Sequence, residues 1–122
     1  MHIVHSSDVP EMQGRLNPIH PESGITHQLL VPPEVGKQMR MSLTKFSSGF
    51  KNKLHIHHHD QIIYVLSGKM ICATETEERV LHPGTAVYIP EGEKHRHGAP
   101  PDMGCSLLSI ATTASAPVEV VE

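Results

Sequence analysis

Leu54-His55-Ile56-His57-His58-His59-Asp60-Gln61-Ile62-Ile63-Tyr64-Val65-Leu66-Ser67-Gly68 is the stretch that decides the fold. Leu54 to His57 reads as a short strand, and Gln61 to Leu66 as a second, β-branched and apolar on both faces, hence a central strand. Ser67-Gly68 is expected to close a tight hairpin. Side chains alternate along a strand, so His55 and His57 project to one side about 6.5–7 Å apart, where two imidazoles can grip one ion. A bend at Asp60 would return the Gln61 amide oxygen to the same interior. A polar group heading so apolar a run must be satisfied there, and a metal ion would satisfy it.

Outward from this stretch the chain keeps the same rhythm. Lys37 to Phe46 alternates Met39, Met41 and Leu43 against Arg40, Ser42 and Thr44, a half-buried strand whose Met39–Met41 stripe is assigned to the core. Lys69 to Ala73, Arg79 to Leu81, Ala86 to Ile89, His95 to Gly98 and Cys105 to Ala111 follow as short strands between Pro and Gly signals. No window shows helical periodicity with a cap. The fold class is therefore all-β, a sandwich or closed barrel. Residues 1–33 read as an irregular N-terminal arm with at most short strands, the clearest Gln28 to Val31. Residues 34–112 carry the barrel, and 113–122 form a tail that pairs as an edge strand or frays.

At 122 residues the chain supports one domain. Its charge is -3 and its ten Lys and Arg, from Arg15 to Arg96, are dispersed, so no stripe suits a phosphate backbone and nucleic acid is not the expected partner. No basic-then-apolar leader opens the chain, and no apolar run approaches the ~20 residues that span a bilayer, which predicts a cytoplasmic protein without membrane contact. Cys72 and Cys105 lack CxxC spacing and are expected to be reduced, buried thiols.

The anomaly is histidine, which occurs eleven times, four of them between His55 and His59. A second cluster, Pro90-Glu91-Gly92-Glu93-Lys94-His95-Arg96-His97-Gly98, puts His95 and His97 on one strand face, and turns at Gly84 and Gly92 would let that strand run beside the first. By parity and the bend, His58 and His59 should face solvent or the rim. His2, His5, His20, His27 and His82 carry no spacing signal, and for His20 and His27 in the arm an interface role is the one left open.

Gly49-x5-His55-x-His57-x3-Gln61-x6-Gly68 resembles the first cupin motif, and Gly84-x5-Pro90-x-Gly92-x2-His95 resembles the second. The resemblance implies a double-stranded β-helix barrel with His55, His57, Gln61 and His95 as metal ligands. Two positions depart from the usual pattern: Gln61 stands where Glu is commoner, and Ala99 where Asn is. A neutral amide ligand leaves a divalent ion with its full charge, which favours anionic or polarised substrates. The segment Gly92 to Ala99 is also similar, except for Arg96, to one in small bacterial cupins that include manganese-dependent hydroxynitrile lyases. There the position matching His97 works beside the metal, and Ser109 falls where those lyases carry a further histidine.

The resemblance thus implies one divalent transition metal ion per chain (Mn, Fe, Ni, Co or Zn) acting as Lewis acid on a small oxygenated substrate. His97 would move the proton in lyase-like or isomerase-like chemistry. An iron-dependent dioxygenase and a non-catalytic metal-dependent binding module are the alternatives. The arm and the small barrel further suggest a homodimer in which strands extend a partner's sheet.

Overall fold

The computed structural model describes residues 1–14, 17–20 and 22–122; Arg15, among the dispersed cations, lies outside the described residues. After a single 3-10 turn at Ser6–Asp8 come β1 (Met12–Gln13), β2 (Ile25–Val31), β3 (Met39–Phe46), β4 (His55–Ile56), β5 (Gln61–Gly68) and β6 (Met70–Ala73). β7 (Glu78–Leu81), β8 (Ala86–Ile89), β9 (Arg96–Gly98), β10 (Cys105–Thr112) and β11 (Glu119–Val120) complete the chain. The arrangement is the expected all-β, double-stranded β-helix barrel.

Six strands form one sheet in the order β1-β2-β3-β10-β5-β8, a second sheet runs β7-β6-β9, and β11 pairs with β4. β10 is central: Leu107 lies opposite Thr44 on β3 and Val65 on β5. Inward-facing Ile63, Val65, Met70, Ile89 and Leu107 are no more than 1% exposed, and each buried side chain of this size contributes about 1.5–3 kcal/mol. Phe46 and Phe50, with rings 5.0 Å apart, belong to the same core as Ile25. β5 is flanked on both sides, by β10 and β8, as its apolar composition predicts. Its outer residues Ile62, Tyr64 and Leu66, and Tyr88 of β8, are at least 40% exposed.

Three expectations are corrected. The Met39–Met41 stripe does not enter the core: Met39 is 54% exposed, while Ser42, Thr44 and Phe46 on the opposite face of β3 line the barrel's cavity. Apolar alternation marks the inward side only where the interior is apolar, and this interior holds a polar cleft. Ser67-Gly68 is no hairpin either, because β5 stays paired with β10 through Gly68 while β6 pairs with β7 and β9, making Gly68 a corner between sheets. Thirdly, β2 begins at Ile25, three residues before the predicted strand, and pairs along β3. The tail takes the paired form, Glu119 opposite Ile56 and Val120 opposite His55.

Gly68 has φ +74°, and a Cβ there would lie 2.0 Å from the Gly104 carbonyl oxygen. Gly84 has φ +91° with open space around it. Gly68→Ala should therefore cost about 2–4 kcal/mol, from strain and overlap together, and Gly84→Ala only about 1 kcal/mol. Urea midpoints of the two variants check the difference; equal losses would refute the corner.

Both cysteines are free, and burial pushes the Cys105 thiol up to about 11, away from the reactive thiolate. Among the described residues no helix is long and apolar enough to cross a membrane.

Candidate metal centre

β4 is only two residues long, yet it presents its histidine to the interior because two neighbours hold it. Val120 of β11 pairs with His55 on one side, and on the other His55 and His95 exchange both backbone hydrogen bonds, at 2.9 and 3.0 Å. The predicted meeting of the two histidine clusters is therefore a backbone pairing. Imidazole centroids lie 4.4 Å apart for His55–His95, 4.7 Å for His57–His95, 6.0 Å for His55–His57 and 4.8 Å for His95–His97. All four rings are buried.

Each of three rings is anchored through Nδ1. His55 donates to the Lys53 carbonyl at 2.7 Å, His57 to that of His59 at 2.9 Å, and His95 to that of Glu93 at 2.8 Å. A carbonyl only accepts, so Nδ1 carries a proton, and in the neutral ring Nε2 is then the nitrogen with the lone pair, as metal-binding histidines are typically prepared. His95 Nε2 is buried without a hydrogen-bond partner, as is His97 Nδ1. His57 Nε2 lies 3.1 Å from Gln61 Oε1, while Gln61 Nε2 donates to the Ser109 hydroxyl at 2.8 Å. That contact opposes two acceptors. A cation relieves it, and so does turning the amide over, which would make Gln61 a donor to His57. One nitrogen from each of His55, His95 and His97 also falls within 4.8 Å of the others, a group that could hold a metal ion. Bare imidazole nitrogens facing an amide oxygen are the donor set of a borderline divalent ion, and the residues fit one.

His97 is built differently. Its main chain is clasped by buried Asn52, whose Oδ1 accepts from the His97 N–H at 2.7 Å and whose own N–H donates to the His97 carbonyl. Its ring has no backbone anchor. Burial first, then the neighbouring imidazoles, hold His97 well below the usual histidine range, so it is neutral at pH 7.

The cavity beside these rings, about 200 Å³, is lined by apolar Ile25, Phe46, Ile63 and Leu107 and by polar Ser42, Thr44, Gln61 and Ser109. His20 and His27, which carry no spacing signal in the sequence, line it too. His27 Nδ1 lies 3.3 Å from the Thr44 hydroxyl, which lies 3.3 Å from that of Ser42. His59 stands at the rim, one of the two expected places: partly exposed, it lines the cavity and its ring stacks on His57 at 4.1 Å. His58 does point away, but its Nε2 meets Glu119 at 2.7 Å. For His27 the sequence carried only strand parity, usable once Ile25 is known to face inward; His20 and Asn52 lie outside the strands and had no such signal.

Burial also lowers His20 and His95 to about 4. The unfolded chain binds these protons near pH 6.5 and the folded one does not, so stability is full above pH 6.5 and falls as pH drops towards 4. Each such histidine costs up to ~1.4 kcal/mol per pH unit in that window. Metal-free protein should show urea midpoints that fall between pH 7 and 5; a flat profile would contradict the burial of these rings.

Comparison with known proteins bears on the family and the fold. Residues 42–111 match the family described as Cupin domain. The polyketide cyclase RemF from Streptomyces resistomycificus superposes with a TM-score of 0.86 at 26% identity, covering 100% of this chain and 86% of that one. A cupin-like protein from Thermotoga maritima gives 0.71 at 29% identity over 80% and 75% of the chains. A sugar phosphate isomerase from Silicibacter pomeroyi gives 0.77 at 20% identity over 98% and 82%, a likeness of fold alone. No curated protein matches.

Proposed function

The chain belongs to the Cupin domain family, and from that premise we propose that it is a metal-dependent enzyme acting on a small oxygenated organic substrate by lyase-like or isomerase-like chemistry. His55, His57 and His95 would hold one divalent transition metal ion through Nε2, with Gln61 Oε1 as a fourth, neutral ligand. The observation that carries this is the trio of carbonyl-anchored imidazoles with free Nε2 lone pairs. When bound, the ion supplies Lewis acidity towards a carbonyl or hydroxyl oxygen.

The chain's own residues supply the rest. His97, neutral and free of a backbone anchor, takes a proton from the substrate and returns it. Asn52 fixes the strand that carries it. Ile25, Phe46, Ile63 and Leu107 give the cavity an apolar wall that would limit water beside the substrate. Similarity to a polyketide cyclase supports this reading over oxygen chemistry, because closing a ring in a polycarbonyl compound needs a polarised carbonyl and a moved proton. The hydroxynitrile lyase subgroup is the narrower form of the proposal, with Ser109 in place of one histidine.

A second reading keeps His97 as a ligand, and the compact His55–His95–His97 group favours it. Metal analysis of protein purified without added metal, followed by turnover of hydroxy, oxo and cyanohydrin compounds with and without chelator, tests the proposal. No bound metal, or turnover indifferent to chelation, defeats it. A homodimer in which strands extend a partner's sheet belongs to the same proposal; light scattering that shows a monomer at micromolar concentration would refute that part.

A further inference from the structure

We infer that the substrate is a small carboxylic acid bearing a second oxygen function, and that Arg40 binds its carboxylate; this rests on the metal-site reading. The inward face of β3 runs Arg40, Ser42, Thr44, Phe46 from the open end of the barrel to its core. Arg40 lines a second cavity of about 250 Å³ that shares His27, Ser42, His59, Gln61 and Ser109 with the first, so the two are one cleft. Neither wall contains a carboxylate, and Arg40 is the one fixed charge among the residues lining both.

Arg40 is also unspent. Lys45, Lys69, Arg79, Lys94 and Arg96 each meet a Glu or Asp, and Lys37, Lys51 and Lys53, which do not, line neither cavity; the side chain of half-buried Arg40 has no ion-pair or hydrogen-bond partner among the described residues. A guanidinium withdrawn from water without an anion is poised for one, and its fork matches a carboxylate in two parallel hydrogen bonds.

The register gives the span. Ala111 of β10 pairs with Arg40 on one side and with Gln61 on the other, so the cation and the amide ligand stand level, two strand spacings or about 9–10 Å apart at the backbone. The methyl of Ala111 leaves the space between them open. A carboxylate on Arg40 and a hydroxyl or carbonyl a few bonds away beside Gln61 bridge that gap, with Ser42 and Ser109 hydroxyls alongside. A bulky neutral substrate would leave the guanidinium unpaired.

The test is calorimetric binding of 2-hydroxybutyrate, 3-hydroxybutyrate and acetoacetate, each against its amide, to manganese-loaded and to metal-stripped protein. The wild type should bind at least one acid about 10- to 100-fold more tightly than its amide, the usual worth of a charge-assisted pair. Arg40→Gln should erase that preference with metal content and melting temperature unchanged, and Arg40→Lys should restore part of it. No acid preference in the metal-loaded wild type, or a preference that survives in Arg40→Gln, overturns the inference. An Arg40-dependent preference in a chain that takes up no metal would sustain it while sinking the metal reading.

Discussion

His95→Ala protein is expected to come out of purification without tightly held divalent metal and yet folded. His95 is 1% exposed, its Nδ1 is committed to the Glu93 carbonyl, and its Nε2 has no partner, so truncation removes a prepared donor without breaking any hydrogen bond that Nε2 makes. The loss in metal affinity should exceed the ~10–100-fold that follows removal of an outer partner of a ligand. His57→Ala should behave alike, since its ring is anchored in the same way. The apolar core around Val65, Met70 and Ile89 does not depend on the ion and should keep the metal-free variants folded. Elemental analysis beside a circular dichroism melt reads both halves, and full metal occupancy in both variants would end the assignment.

His97→Asn should give the second large effect, a rate lower by about 10²–10⁴-fold with metal content near wild type, the usual worth of general acid–base catalysis. Asn52 grips the main chain of residue 97 and not its ring, so the strand should keep its course in the variant. Metal content is the arbiter. If it falls as far as in His95→Ala, His97 is a ligand in the His55–His95–His97 group; if metal stays and the rate falls less than a few-fold, His97 is only wall.

The ligand strands were legible in the sequence because period 2 is rigid: it brought His55 and His57 to one face, and positive-φ turns at Gly84 and Gly92 return the chain beside them. Which face of β3 looks inward was not legible, since an apolar stripe of Met39, Met41 and Leu43 reads as core whether it covers an interior or an outer surface. His27 was hidden for a related reason. Its place depends on β2 pairing with β3 in a register that sets Ile25 opposite Phe46, and that pairing has no local signature. The corner at Gly68 looked like a hairpin because the positive φ it needs also serves two-residue turns; the close approach of Gly104 distinguishes the two, and that is a tertiary fact.

The two-residue strand β4 is pinned by His95 from forty residues downstream and by Val120 from sixty-five. Loops of such length close late, because their entropy must be met before the contacts reward it. The ion site needs both pairings at once, and we expect it to be completed late in folding. A metal ion bound there stabilises the native state and not the transition state, so its presence should slow unfolding while leaving the folding rate almost unchanged. Resistance to thermal inactivation and to proteolysis would then depend on how long the ion resides, and the chain's last strand becomes one of its timekeepers.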